Sequence, residues 1–108
     1  MNYTIDLELY RTKGAKIFTG RDRGKEVRIA SKIDSIASQY EYVDIIIPAE
    51  LFSINPSFFE ELFVNVVKKY REDKFYQKFN FINKGDYPFE KPLKEAIKRI
   101  LRENTALD

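Results

Sequence analysis

The segment Tyr42-Val43-Asp44-Ile45-Ile46-Ile47 does most to limit what this chain can become. It is β-rich, nearly continuous in apolar content, and stopped by Pro48. Strict alternation would mark a strand wet on one side. Near-continuity marks a central strand covered on both faces, the pattern of a sheet flanked by helices. With 108 residues, the chain has the length of one domain of common size. The expected unit is a single domain over 1–108, with its core at about 3–102 and a frayed tail over 103–108.

Three further strands are expected around the central one. Residues 3–9 alternate, with Tyr3, Ile5, Leu7 and Leu9 on one face and Thr4, Asp6 and Glu8 on the other, as in a strand with one wet face. Turn residues Arg11-Thr12-Lys13-Gly14 then lead to Ala15-Lys16-Ile17-Phe18, read as its hairpin partner. Phe75, Gln77, Phe79 and Phe81 share one parity, so 75–82 forms the last strand. Three helices complete the order β-β-α-β-α-β-α. One runs over about 23–38, capped by Asp22, and carries Val27, Ala30, Ile33 and Ala37. The second starts at Asn55-Pro56, an N-cap followed by a proline whose missing N–H costs nothing there. It follows Phe59, Leu62, Phe63, Val66, Val67 and Tyr70 to about residue 70. The third follows Pro88 and Pro92, with Leu93, Ala96, Ile97, Ile100 and Leu101 buried. The fold class is α/β: a small mixed four-stranded sheet covered by about three helices.

Composition removes whole classes of chemistry. The chain has no Cys and no His, so thiolate nucleophiles, the Ser-His-Asp triad and Cys- or His-based zinc sites are all excluded. An enzyme would have to work through carboxylates, Lys, Tyr, Ser or a carboxylate-bound magnesium, and no spacing selects Asp44, Glu50 and Glu60 for such a metal. The expectation is a non-enzymatic protein without cofactor or metal. No apolar run exceeds three residues, as in Ile45-Ile46-Ile47, too short to span a membrane. The start, Met1 to Asp6, lacks the basic-then-apolar layout of a signal peptide, and a cytoplasmic location is expected.

Charge is unevenly placed behind a net +2. Residues 11–28 hold Arg11, Lys13, Lys16, Arg21, Arg23, Lys25 and Arg28 against Asp22 and Glu26, a net of +5. Residues 41–61 hold Glu41, Asp44, Glu50, Glu60 and Glu61 and no Lys or Arg, a net of −5. The two blocks either offset one another across the molecule or form a bipolar surface that orients a charged partner. Nucleic-acid binding through segment 11–28 is the alternative from another class. A sequence pI near 8.8 falls short of the domain-wide basic excess usual for such proteins.

Two constellations could carry function. Gly20-Arg21-Asp22-Arg23-Gly24-Lys25 opens a helix with glycines and cations, the ingredients of an anion cradle or of a plain solvated turn. Arg21, Arg23 and Lys25 would be its anion or second-contact residues, the guanidinium groups gripping an oxyanion bidentately. The other constellation is Asn55-Pro56-Ser57-Phe58-Phe59-Glu60-Glu61, directly after the central strand, where ligands and partners usually meet an α/β fold. Phe59 belongs to the core stripe. Phe52 and Phe58 fit it less well, and each is either a core residue or an exposed anchor.

These residues carry a resemblance. Phe18-Thr19-Gly20-Arg21-Asp22-Arg23-Gly24, then Tyr42-Val43-Asp44-Ile45-Ile46-Ile47, then Ile54-Asn55-Pro56-Ser57-Phe58-Phe59-Glu60-Glu61-Leu62 resemble the STAS-like family of uncharacterised small bacterial proteins. STAS domains proper are the fold of anti-anti-sigma factors, in which a strand leads into an Asp-Ser-Ser-Gly turn. A serine of that turn is phosphorylated by a partner ATPase of the histidine-kinase type. Here Asn55-Pro56-Ser57-Phe58 stands in that place. Asn replaces Asp, Pro replaces the phosphorylated serine and Phe replaces Gly, so only Ser57 remains, at the second serine's position. The resemblance implies a regulatory protein–protein interaction module with such an ATPase as partner. Its partner-binding face would comprise Phe52, Asn55, Ser57, Phe58, Glu60 and Glu61.

Overall fold

The apolar run becomes the strand at the centre of the domain. A computed structural model describes residues 2–106, with side chains to residue 102. In it β3 (Tyr42–Ile47) lies between β1 (Asn2–Asp6) and β5 (Phe79–Asn83), both parallel to it. A separate parallel pair joins β2 (Ile17–Phe18) to β4 (Ser53–Ile54). The radius of gyration, 13.1 Å, is that of one compact domain of this length. Among the described residues no helix is long and apolar enough to cross a membrane.

The expected mixed four-stranded sheet is therefore replaced by three strands plus two, all paired in parallel. β1 and β2 form no hairpin. The Asp6 carboxylate accepts the Glu8 N–H (3.0 Å) and caps a 3-10 turn over Leu7–Tyr10, ending the strand early and turning the chain aside. Leu7 is buried by that turn, whereas Leu9 is exposed.

The helices also differ in extent. The stretch expected as one helix is broken at Lys32, which takes the left-handed conformation (φ 58°, ψ 35°) between α1 (Arg21–Ser31) and α2 (Ile33–Gln39). The break resets the apolar stripe, so Val27, Ile33, Ile36 and Ala37 are buried while Ile29 and Ala30 face solvent. Gly20 rather than Asp22 occupies the N-cap, with Asp22 in the first turn. α3 (Pro56–Lys78) starts as expected: the Asn55 side chain accepts the Ser57 N–H (2.9 Å) and Pro56 takes the first helical position. It does not stop near 70, but kinks at Arg71 and resumes, so Phe75 is helical. α4 (Glu90–Ala106) buries Leu93, Ala96, Ile97 and Ile100 as expected. The fraying expected at the carboxyl end falls on residues 107 and 108 and on side chains beyond Arg102, outside the described residues.

α3 is the hub, packed on α1 along one flank, on α4 along the other and on the three-stranded sheet beneath. The sheet face carrying Ile5, Val43, Ile45 and Phe79 is buried under helices. The opposite face carries Asn2, Thr4, Asp6, Tyr42, Asp44, Ile46, Asn80 and Ile82, none of them buried. β3 is thus covered on one face, not on two.

Arg71 sits at φ 64°, ψ 175°, a region that glycine alone enters freely and that costs other residues about 1–3 kcal/mol. Its backbone is outside helical geometry, so the usual penalty for glycine within a helix does not apply. Arg71→Gly is expected to stabilise the protein by about 1 kcal/mol, raising Tm by about 4–8 °C. An unchanged or lower melting temperature in thermal denaturation contradicts strain at the kink.

Candidate functional site

The loop that leaves β3 is held from three sides. Arg11 pairs with Glu8 and donates from Nη1 to the Ala49 carbonyl (3.1 Å). The Lys84 N–H bonds the Ile47 carbonyl (2.9 Å), and Gly85 lies so close that a Cβ there would come within 3.0 Å of Ala49 Cα. The Phe52 and Asn55 N–H groups bond the Lys16 and Phe18 carbonyls, each at 2.8 Å, closing the β2–β4 pair. Connections following β1, β3 and β5 thus meet at the carboxyl edge of the sheet, the usual place for ligands or partners in an α/β fold.

On this fixed loop Phe52 is 73% exposed, its ring 5.1 Å from Lys16 Nζ. A cleft of about 220 Å³ lies alongside, lined by Arg11, Lys13, Lys16 and Glu50 among others. Asn55 is exposed and Ser57 half-buried, its hydroxyl donating to Asn55 Oδ1 (2.8 Å). Phe52, Asn55 and Ser57 are thus accessible along the short stretch that leads from the loop into α3, a rim at this edge.

Phe58 and Glu60 are not on that rim. Phe58 is 0% exposed. Its ring packs 4.8 Å from Phe18 and 5.9 Å from Phe59, because α1 and β2 cover the flank of α3 that a single apolar stripe would leave wet. Glu60 is buried as well, its Oε2 3.2 Å from Arg21 Nη1 and its Oε1 3.8 Å from Arg99 Nη1, with no hydrogen bond to Oε1. Glu61 is half-buried, 3.6 Å from Arg21, and accepts from Arg28 Nη1 through its carbonyl (2.6 Å). These two carboxylates tie three helices together and do not face a partner.

Gly24 makes that arrangement possible. Arg21, Gly24 and Arg28 recur at helical spacing on the side of α1 that meets α3. A Cβ on Gly24 would stand 2.4 Å from the Phe58 carbonyl oxygen, so only glycine lets the helices approach this closely. Gly24 lies inside α1 rather than in a loop, and Arg21 and Arg23, the candidate anion ligands, have partners within the molecule. Arg21 is engaged by the two glutamates, and Arg23 donates to the Tyr10 carbonyl and to Thr12 Oγ1 (3.0 Å). Lys25 is exposed and takes no part in these contacts.

The opposed charge blocks therefore meet inside the molecule. Arg21 and Arg28 pair with Glu60 and Glu61, while Arg11 and Arg23 grip carbonyl oxygens of neighbouring loops. Lys13, Lys16 and Lys25, the other cations of 11–28, are exposed. Asp44, Glu50 and Glu60 are dispersed, and no group of three or more potential metal ligands occurs among the described residues. Sequence spacing had no means of revealing Arg11 as the clamp on Ala49, since the contact spans 38 positions.

The class defined here is a small α/β domain with a rigid, aromatic-tipped rim at its sheet's carboxyl edge. Comparison with known proteins finds no matching family model, curated protein or solved structure.

Proposed function

We propose that the protein is a non-enzymatic, regulatory, STAS-like protein–protein interaction module that docks through the rim of Phe52, Asn55 and Ser57. Its partner class is the histidine-kinase-type ATPase that the family resemblance implies. One observation carries the reading: a large aromatic side chain is left exposed on a loop that hydrogen bonds from three other segments hold in place. A ring presented on a held loop leaves little backbone freedom to be lost on docking, and aromatic anchors dominate binding energy at interfaces. The absence of His and Cys suits a surface whose work is contact. Internal engagement of four of the seven cations weighs against the nucleic-acid alternative.

The test is capture from the host lysate with the wild-type protein and with Phe52→Asp as bait. Wild type is expected to retain an ATPase, and Phe52→Asp to lose it, with affinity for the purified ATPase falling about 30-fold or more. Melting temperature should not change, because the ring is exposed. Retention of the same partner by both baits removes the rim from the interface. Enrichment of nucleic acid, with log affinity falling steeply against log salt, replaces the reading altogether.

A further inference from the structure

The bare face of the three-stranded sheet has no place in that reading. Parallel sheets are normally covered on both faces, and their central strands are apolar on both as a result. β3 has such a sequence, yet only the face bearing Val43, Ile45 and Ile47 is covered. Ile46 lies at the centre of the other face, beside Ile82 on β5 and Asp6 on β1, and Asp44 stands two residues before it, hydrogen-bonded to Asn80 (3.3 Å). Ile82 and Tyr42 are exposed. The strands provide two carboxylates and no cation on this face.

We propose that this face is a second docking surface, and that its occupant is a helix of a partner protein that is apolar along one stripe and basic beside it. Size selects a single helix. Three strands span about 14 Å, against a helix diameter of about 10–12 Å. A second copy of the chain fits poorly: it would lay another acidic sheet face, whose strands hold no cation, against this one. A cationic helix meets both carboxylates while its apolar stripe covers Ile46, Ile82 and the Tyr42 ring. This second surface is independent of the rim, which lies at the sheet's carboxyl edge.

A synthetic amphipathic helix of leucine and lysine is the probe, with a leucine–glutamate helix of the same pattern as its counterpart. Titration followed by backbone amide shifts is expected to perturb Thr4, Asp44, Ile46, Asn80 and Ile82 with the basic peptide and to give no binding with the acidic one. Asp44→Asn should weaken binding about fivefold and Ile82→Ser about tenfold, both variants keeping the wild-type amide spectrum elsewhere. Phe52→Asp should leave this binding unchanged, which separates the result from the fate of the rim. Shifts centred elsewhere, equal binding of the acidic peptide, or insensitivity to both variants overturns the proposal. So does a concentration-dependent dimer that Ile82→Ser abolishes, since a second copy would then be the cover.

Discussion

Phe63→Ala is expected to lower stability by about 3–5 kcal/mol. Phe63 is fully buried, and its ring lies 5.6 Å from Phe59, 5.3 Å from Phe75, 6.1 Å from Phe79 and 5.8 Å from Phe81. Those four rings come from three places: the first half of α3, its continuation beyond the kink at Arg71, and β5. Removing the central ring leaves a cavity whose walls belong to separate segments, two of them on a helix and one on a sheet, so the walls cannot close without moving whole elements. The offset and edge-to-face geometries add about 0.5–1.5 kcal/mol per pair beyond area burial. Against a total stability of about 5–15 kcal/mol, the loss is decisive, and Tm should fall by about 15 °C or more. Leu9→Ala, at a side chain 77% exposed, is the control and should change stability by less than about 0.5 kcal/mol. Chemical denaturation gives both values. A loss at Phe63 below about 1 kcal/mol contradicts a core organised around this ring.

The same cluster explains which parts of the fold were legible in the sequence. Features determined by neighbours in the chain were read well. The β-rich run and its proline stop mark β3, Asn55 and Pro56 mark the start of α3, and Leu93 to Ile100 mark the buried side of α4. Features determined across the molecule were not. Phe75 and Phe79 share the parity of a strand, but they are also four apart, which is helical spacing, and the two rings stack at 4.8 Å across the end of α3. Lys32 and Arg71 interrupt helices at positive φ without a glycine to announce it. Parallel pairing of β2 with β4 depends on contacts across more than thirty positions.

The rim was legible in part, for the same physical reason. Phe52 stands off the apolar stripe of α3, which marked it as a candidate anchor, but local chemistry did not decide between exposure and the core. Nor did it decide the burial of its companions. A helix with one neighbour shows one apolar stripe. α3 has α1, α4 and the sheet around it, so Phe58 and even Glu60 are taken out of water. Gly24 is the residue that permits this, and a glycine flanked by Arg23 and Lys25 looks like part of a loop until a second helix is placed against it.

Phe58→Asp is accordingly expected to unfold the protein, not to map its docking face. The wild-type ring is fully enclosed between Phe18 and Phe59, under the carbonyl oxygen that Gly24 approaches. Loss of the ring costs about 3–5 kcal/mol, and a carboxylate left in its place adds several kcal/mol through desolvation or forced neutralisation. The total reaches the whole stability of a domain this size. The variant should lack a cooperative thermal transition and show a collapsed, poorly dispersed amide spectrum. Phe58→Leu, which keeps an apolar side chain there, should cost about 1–2 kcal/mol and retain the native spectrum. The contrast with Phe52 is what makes the pair informative. Phe52→Asp places the same charge six residues earlier on an exposed loop, where water solvates it and folding is indifferent to it. If both aspartates abolish partner capture, only the one that keeps the wild-type melting curve speaks for docking. A Phe58→Asp protein that melts like wild type would put that ring on the surface, and the packing of α1 on α3 through Gly24 could not then be as described.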